Sequence, residues 1–321
     1  MSLPEYILIF VILALLQTAY FAVARRLDIV SLPCHRSSHR RPTVSGGGIV
    51  FYFAVMAFYI AGGMSCTLFA AGATLLAAVS FADDLRPLGV LVRMAAQLTG
   101  VTLAAMQLGV IGHMPLWATV AAIIIGTGFV NACNFMDGVN GITGGYSLIT
   151  LLTLLLINTR ESFIDPSFLI ISAMAAAIFC FCNYRRHALC FAGDVGSVSV
   201  GYILLFALGS LMIATRSLAP LVFVAVYGVD TVLTIVHRLM LRQNILQSHR
   251  MHLYQLISNE LGLGHIATAS LYIAVQAIIN AGALWLPVDP VIYLCAVIVV
   301  LAAVYIVIMR RYFCLYSDKN Q

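Results

Sequence analysis

The feature that most constrains this chain is a series of long apolar stretches that follow one another from near residue 5 to near residue 309. Each contains roughly 17 to 25 residues, the length that an α-helix needs to cross the hydrocarbon core of a membrane. Only 9% of the residues are charged, against about 25% in soluble domains, so a water-facing surface would have too few solvating groups. The sequence therefore predicts an all-α polytopic membrane protein, with residues 1–321 forming a single integral membrane domain.

Polar and turn-forming residues divide the apolar sequence into about eleven predicted membrane spans. They cover residues 5–24, 46–63, 66–82, 91–109, 116–132, 142–158, 167–184, 197–215, 219–237, 265–285 and 291–309. The first span has neither a basic segment before it nor a cleavage site of small residues after it. We therefore expect it to be the first membrane helix and not a removable signal peptide.

The basic residues predict the orientation of the spans, because Lys and Arg are retained on the cytoplasmic side of a membrane. The predicted spans place 15 of the 17 basic residues on one side and only Arg160 and Arg216 on the other. An odd number of spans then puts the N-terminus outside and the C-terminus inside. The same division places the candidate site residues described below at the cytoplasmic face. The net charge of +5 is too small and too dispersed to indicate a nucleic-acid partner.

Two adjacent aspartates, Asp83 and Asp84, end the third predicted span. Neighbouring carboxylates repel each other, and at least one pKa rises unless a cation or a hydrogen-bond donor is close. Adjacent helical residues point in different directions, so the two can serve different tasks, such as one toward a metal and one toward a proton. The alternative is a solvated helix end in which Arg86 is the local ion-pair partner.

A string of amides and one carboxylate joins the fifth and sixth spans. It reads Asn131-Ala-Cys-Asn134-Phe-Met-Asp137-Gly-Val-Asn140-Gly141. Steps of three would place Asn131, Asn134 and Asp137 on one stripe of a helix. Amide and carboxylate oxygens are the ligands that Mg²⁺ prefers. The alternative is a polar helix cap in which the two glycines are helix breakers.

A glycine-rich string precedes the eighth span. It reads Phe191-Ala-Gly193-Asp194-Val-Gly196-Ser197. Gly193 and Gly196 would let the backbone approach a ligand closely, and the first N–H groups of the following helix suit a phosphate. The alternative is that Asp194 is a plain N-cap.

The longest polar connection, residues 238–264, contains a histidine motif. It reads Ser248-His249-Arg250-Met251-His252-Leu253-Tyr254-Gln255. His249 and His252 are three residues apart and would share a helical face, with Arg250 beside them. Together they would supply hydrogen-bond donors and positive charge to a phosphate-bearing substrate. A solvated loop and a zinc site are the alternatives, although no cysteine cluster accompanies the histidines.

Two further polar features leave alternatives open. Asp230 lies within the ninth span, where a carboxylate normally faces a partner or a cavity, and it has either a functional role or a structural ion pair with an arginine of the membrane rim. The basic loop from Arg36 to Gly48 either holds anionic lipid headgroups or only enforces topology.

These strings, taken together, resemble those of the polyprenyl-phosphate N-acetylhexosamine-1-phosphate transferases of glycosyltransferase family 4. The resemblance extends over nearly the whole chain and includes the order of the strings. They are Ser38-His39 and Pro42-Thr43 before Gly46-Gly47-Gly48, then Asp83-Asp84-Leu85, residues 131–141, residues 193–197 and residues 249–255. The motif His-Arg-Met-His is more similar to the branch that initiates bacterial O-antigen than to the phospho-N-acetylmuramoyl-pentapeptide transferase of peptidoglycan synthesis.

The resemblance implies a single integral membrane transferase domain in the bacterial cytoplasmic (inner) membrane, with a site that faces the cytoplasm. Its substrates would be a UDP-N-acetylhexosamine and undecaprenyl or another polyprenyl phosphate, which attacks the sugar-linked phosphate and releases UMP. The implied cofactor is Mg²⁺, with Mn²⁺ as the alternative ion. A homodimer is an assembly that the resemblance leaves open.

The residue roles follow from the same resemblance. Asp194 and Asn134 would ligate the metal. The catalytic candidates are Asp83, Asp84, Asp137 and Asp194, the first two with a role in binding or deprotonating the lipid phosphate. The substrate-binding candidates are Asn131, Asn134, Asn140, His39, His249, Arg250 and His252. Two other classes stay open: a secondary transporter, whose carboxylates would mark an ion pathway, and a catalytically inactive membrane scaffold.

Overall fold

A computed structural model describes residues 1–31, 42–244 and 250–312, and in these ranges the chain folds almost entirely into helices. The helices are α1 (Leu3–Arg26), α2 (Ile49–Ala61), α3 (Thr67–Leu85), α4 (Val90–Gln107), α5 (Leu116–Phe135), α6 (Ile142–Glu161), α7 (Pro166–Asn183), α8 (Gly193–Thr215), α9 (Ala225–Met240), α10 (Leu253–Gln255), α11 (His265–Trp285) and α12 (Pro290–Tyr312). Strands β1 (Val30–Ser31) and β2 (Thr43–Val44) form one antiparallel pair. The expected all-α polytopic membrane protein is confirmed for the described residues.

Ten helical segments in the described part of the chain are long and apolar enough to cross a membrane. Nine are single α-helices, and the tenth, Ala219–Met240, is a 3₁₀-helix (Ala219–Val224) that continues into α9. This count is one fewer than the eleven spans expected, because the predicted span 46–63 contains only the 13-residue α2. Thirteen helical residues extend about 20 Å, which is less than the roughly 30 Å of a hydrocarbon core.

The short α2 nevertheless leads the chain from one end of the bundle to the other. The Tyr20 hydroxyl near the end of α1 donates a hydrogen bond to the Ser45 carbonyl just before α2, at 2.7 Å. Asp84 near the end of α3 accepts hydrogen bonds from the start of α8. These contacts place the end of α1, the start of α2 and the end of α3 together, at what we call the acidic face. Which membrane face this is, and hence where the termini lie, stays a prediction.

Helix α8 lies at the centre of the bundle, and most of its side chains are buried. Tyr202 of α8 stacks on Phe69 of α3, with ring centroids 4.9 Å apart, and its hydroxyl donates to the Gly100 carbonyl of α4 at 2.9 Å. The absence of a side chain at Gly72 leaves room for the Tyr202 hydroxyl, and the absence of one at Gly100 lets Leu76 of α3 pack closely on α4, as is usual where membrane helices pack. Asp194, near the first residue of α8, is thereby tied to a well-packed element.

Gln276 of α11 stabilises the 3₁₀-helix Ala219–Val224, which begins the ninth predicted span. The Gln276 amide donates to the Val222 carbonyl at 3.0 Å, and its oxygen accepts from the Val226 N–H at 3.2 Å and from the Tyr146 hydroxyl at 2.6 Å. Thr150 donates to the neighbouring Phe223 carbonyl at 3.3 Å. Within a bilayer such backbone groups must find partners inside the protein, and these side chains supply them.

Candidate active site

Asp83, the first residue of the aspartate pair, points toward α4. One carboxylate oxygen accepts a hydrogen bond from the Leu88 N–H at 2.5 Å, and the other lies 3.0 Å from the Arg93 guanidinium. Arg93 is therefore the ion-pair partner of this helix end, and the expected local pairing with Arg86 is wrong. Arg93 is about one-third exposed and also lies 3.7 Å from an Asp194 oxygen, so it bridges two acidic groups.

Asp84 points toward α8 and accepts the N–H groups of Asp194 and Val195, at 2.9 and 3.0 Å. Both of its oxygens are thus engaged by the first turn of α8, where N–H groups lack partners within the helix. The two aspartates do serve different partners, as their directions on α3 predict. The expectation that these N–H groups lie open to a phosphate needs correction, because a carboxylate of the protein already accepts two of them.

The glycines around Asp194 bring two stretches of backbone together. The Gly47 N–H donates to the Phe191 carbonyl at 2.8 Å, and the Gly48 N–H donates to the Ala192 carbonyl at 3.0 Å. A Cβ atom at Gly196 would lie 2.5 Å from the Gly48 Cα atom, so neither side has room for a side chain. Gly193 has a φ of +70°, a value that favours glycine. The glycines thus allow the start of α2 to pack against the start of α8. The sequence predicted that they would let the backbone approach a ligand, but at this contact they let it approach another part of the protein.

Asp194 occupies the second position of α8, and the N-cap of this helix is Ala192. The alternative of a plain N-cap is therefore wrong. The Asp194 side chain instead lies near the side chains of Asn134, at the end of α5, and Asp83. The Ser197 hydroxyl, one turn further along α8, donates to the Asn134 amide oxygen at 3.2 Å. Asp194 and Asn134, the two candidate metal ligands, thus lie close together, and Ser197 contacts both residues.

The asparagine string does not form one continuous stripe, because α5 ends at Phe135. Asn131 points away from the carboxylates and donates to the side-chain oxygen of Gln97 and to the Thr127 carbonyl. Asn140 is buried and donates to the Arg185 carbonyl at 2.9 Å. Only Asn134 of the three asparagines contacts the acidic cluster in this structure.

Asp137 lies in the connection after α5, outside the membrane-spanning helices. Its carboxylate accepts a hydrogen bond from the Thr143 hydroxyl at 2.6 Å. Burial raises the pKa of Asp137 to about 6, the charge of Asp84 adds to this effect, and the Thr143 hydrogen bond opposes it. Asp137 is therefore electrostatically coupled to the aspartate pair although it belongs to another element.

In the described part of the histidine motif, Met251, His252 and Tyr254 are buried beside α9. His252 is about 1% exposed, and its Nδ1 atom lies 3.3 Å from a carboxylate oxygen of Asp230. Asp230 thus pairs with a histidine where an arginine was the expected structural partner. Arg250 is exposed. The candidates His39 and His249 lie outside the described residues. A direct phosphate contact by His252 does not fit its burial in this structure.

The donor atoms at the acidic face are oxygens, which suit Mg²⁺ or Mn²⁺ better than zinc. Among the described residues, no three His, Cys, Asp or Glu side chains are arranged so that they could hold a metal ion by themselves. Mg²⁺ usually takes only one or two protein carboxylates and completes its shell with water and substrate phosphates. The neighbouring side chains of Asp194 and Asn134 fit such a shared site and do not fit an all-protein cage.

The sequence analysis assigned no role to three residues of this face, namely Arg93, Thr143 and Ser197, although Ser197 belongs to the glycine-rich string. Arg93 was counted only as a topological charge, yet an arginine inside an apolar span is costly and usually has a specific partner, which is a usable signal. Thr143 and Ser197 carry no signal of their own, since hydroxyls are common in membrane helices.

The fold and the site define a polytopic membrane protein with a carboxylate cluster where α3, α5 and α8 meet one face. Residues 66–216 match the family model described as glycosyl transferase family 4. A decaprenyl-phosphate N-acetylglucosaminephosphotransferase of Mycobacterium leprae is 27% identical over 293 residues, covering 76% of this chain and 72% of the relative.

Two further relatives extend the comparison. A probable undecaprenyl-phosphate N-acetylglucosaminyl 1-phosphate transferase of Bacillus subtilis is 25% identical over 270 residues, covering 76% of this chain and 73% of the relative. A phospho-N-acetylmuramoyl-pentapeptide-transferase of Symbiobacterium thermophilum is 32% identical over 146 residues, covering 45% and 42%. Over the matched residues 66–216, which include α3 to α8, the chain is similar to members of glycosyl transferase family 4.

Proposed function

We propose that this protein transfers N-acetylhexosamine 1-phosphate from a UDP-sugar to a polyprenyl phosphate such as undecaprenyl phosphate. An oxygen of the lipid phosphate would attack the sugar-linked phosphorus of the nucleotide sugar, and the bond between the two nucleotide phosphates would break. The products would be UMP and a lipid diphosphate that carries the sugar.

The observation that carries this proposal is the convergence of Asp83, Asp84, Asp194, Asn134 and Arg93 at the ends of four helices. A lipid phosphate is anchored in the membrane and a nucleotide sugar is soluble, so their reaction requires a site where helices end at the membrane surface. The names of the relatives from Mycobacterium leprae and Bacillus subtilis, which are polyprenyl-phosphate N-acetylglucosamine phosphotransferases, support the same reaction class.

The residues at this face would mainly position the phosphates and offset their charge. A phosphate that approaches a diphosphate brings negative charges together, and Arg93 can donate hydrogen bonds to them from its partly exposed position between two carboxylates. Mg²⁺, or Mn²⁺ as the alternative, would be held by Asp194 and Asn134 and would supply further positive charge for in-line transfer.

The aspartate pair need not act as a strong base in this reaction. A phosphomonoester has a second pKa of about 6, so the lipid phosphate is already largely ionised at neutral pH. Both oxygens of Asp84 accept backbone N–H groups, and Asp83 is held by Leu88 and Arg93. We therefore assign positioning roles to both, with Asp84 fixing α8 and Asp83 fixing Arg93.

The finer assignments rest on the histidine motif and the basic residues. The His-Arg-Met-His string favours the branch that initiates O-antigen or a related cell-surface glycan. All basic residues except Arg160 and Arg216 lie on the side of the predicted spans that carries the acidic face. Because basic residues are retained in the cytoplasm, this distribution favours an acidic face on the cytoplasmic side of a bacterial inner membrane. A secondary transporter would place its site near the membrane midplane, whereas the cluster that includes Asp83 and Asp194 lies at helix ends.

The test uses purified protein freed of endogenous lipid, a panel of UDP-N-acetylhexosamines, polyprenyl phosphate and Mg²⁺. Direct attack predicts that UMP appears only when all three components are present, together with a lipid-linked sugar diphosphate. UMP released from UDP-sugar alone, up to one equivalent, would indicate a phosphoryl-enzyme and overturn the direct mechanism. Absence of a lipid product with every sugar of the panel would refute the proposed function.

A further inference from the structure

Asp230 is a buried carboxylate of α9 that receives hydrogen bonds from five groups. Its side chain is about 3% exposed. The partners are Nδ1 of His252 at 3.3 Å, the N–H groups of Leu253 at 2.9 Å and Tyr254 at 3.2 Å, and the hydroxyls of Tyr272 at 2.7 Å and Thr234 at 3.2 Å. Every one of these partners can act as a donor, which suits a carboxylate that remains ionised although it is buried.

Three of the five donors belong to the histidine motif. The N–H groups of Leu253 and Tyr254 lie in the first turn of α10, where a helix offers them no acceptor of its own. Asp230 therefore acts as the cap of this turn from another element, 23 residues earlier in the chain. The same carboxylate determines that Nδ1 of His252 carries the proton, and it thereby fixes the orientation of the ring.

Tyr254 extends this arrangement to the acidic face. Its hydroxyl donates to the Phe135 carbonyl at 2.9 Å, and Phe135 is the residue after Asn134. The absence of a side chain at Gly138 leaves the room that the Tyr254 hydroxyl occupies. Arg250 and Asp137 both lie within electrostatic reach of Tyr254. The segment that begins with Arg250 is thus seated against the connection that carries Asp137.

We propose that Asp230 is a positioning residue, which holds the Arg250–Tyr254 segment against the Phe135–Gly138 connection and so sets the distance between the basic motif and the carboxylates. The inference rests on the proposed function and on the expectation that the basic motif, through the exposed Arg250, receives a phosphate of the nucleotide sugar. Asp230 itself is too deeply buried to contact a substrate.

The test compares Asp230→Asn with Asp289→Asn in the purified full-length protein. Asparagine has nearly the same shape as aspartate, but its NH₂ group would face donors, so at least one hydrogen bond to the 252–254 backbone or ring is lost. Asp289 is a matched control, because it accepts the N–H groups of Val291 at 2.9 Å and Ile292 at 3.1 Å at the start of α12, far from the acidic face.

Two measurements are made on each variant. In hydrogen–deuterium exchange, Asp230→Asn should increase exchange at Leu253 and Tyr254 at least tenfold, with no change in α11 and α12. In steady-state kinetics, it should raise the KM for the UDP-sugar at least tenfold and change the KM for polyprenyl phosphate less than threefold. Asp289→Asn should leave both KM values and the exchange at residues 253–254 unchanged.

A second variant guards against a folding failure of the first. Tyr254→Phe retains the contacts of Asp230 and removes only the hydroxyl contact with Phe135, so it should raise the KM for the UDP-sugar while residues 253–254 keep their protection. Unchanged exchange at these residues in Asp230→Asn, equal loss of protection throughout the protein, or an equal rise of both KM values would overturn the proposal. If the wild-type protein transfers no sugar phosphate, the proposed function fails, and the exchange measurement still decides whether Asp230 holds this segment.

Discussion

Replacement of Asp84 by alanine should destabilise the protein more than the same replacement of its neighbour Asp83. Asp84 accepts two backbone N–H groups of α8, at 2.9 and 3.0 Å. A hydrogen bond to a charged group contributes about 1.5–3 kcal/mol, so the loss of two such bonds costs about 3 kcal/mol at the lower end of that range. Asp83 accepts one backbone N–H, and its ion pair with the partly exposed Arg93 should add no more than about 1 kcal/mol.

The assay is thermal unfolding of the purified variants in detergent, without Mg²⁺ and without substrates. At roughly 2 °C for each kcal/mol in a chain of this size, Asp84→Ala should lower the unfolding temperature by about 6 °C. Asp83→Ala should lower it by less, and Asp84→Asn, which keeps one acceptor oxygen, should fall between Asp84→Ala and the wild type.

The order of the variants is the critical result. If Asp84→Ala unfolds at the same temperature as the wild type, or above Asp83→Ala, then the carboxylate does not hold α8 in place. The contacts of Asp84 with α8 would then contribute little to the free energy of unfolding. Asp84 would have to be assigned a different role, such as binding substrate or accepting a proton.

Three other changes test separate parts of the site. Asp194→Asn should lower transferase activity at least a hundredfold with little effect on unfolding, since asparagine keeps the shape but removes a charge from the proposed metal site; near-normal turnover with unchanged Mg²⁺ dependence would contradict this. Gly48→Ala should destabilise the protein because the new Cβ would overlap Gly196, whereas Gly89→Ala, with nothing within 4 Å of its Cβ, should not. The raised pKa of Asp137, about 6, means that the folded state binds its proton more tightly than the unfolded state does. Its contribution to stability is therefore complete below about pH 4 and is lost as the pH rises through 6. In EDTA, the unfolding temperature of the wild type relative to Asp137→Asn should fall over this range, and a constant difference would refute the assignment.

The long helices could be predicted from the sequence because span length and apolar composition are local properties. The second span was predicted too long for a physical reason that is not local. Gly46, Gly47 and Gly48 do not interrupt the apolar stretch of the sequence, so the span was predicted to include them. Their N–H groups or Cα atoms instead contact residues 191–196, and the helix begins only at Ile49. Nothing in the loop itself indicates that partner.

The sequence predicted which strings contain the residues of the site. It did not predict which side chains and backbone groups contact each other there. Asp83, Asp84, Asp137 and Asp194 do lie near one another, as a common membrane face requires. The commitment of Asp84 to α8 depends on a contact between residues 110 and 111 positions apart, and so no local pattern encodes it. The contact of His252 likewise depends on Asp230, which lies in the preceding span, 22 residues earlier in the chain.

The dependence of the ninth span on Gln276 has a consequence for how the chain enters the membrane. The Val222 carbonyl and the Val226 N–H obtain their partner from α11, and this side chain is about 50 residues further along the chain. When the ninth span leaves the ribosome, that partner has not yet been synthesised, so the irregular first turns would meet lipid with unsatisfied backbone groups. The span therefore has to wait at a protected or hydrated position, or enter as a regular helix and reorganise later. A chain truncated before α11 should accordingly insert its first eight spans normally and its ninth poorly.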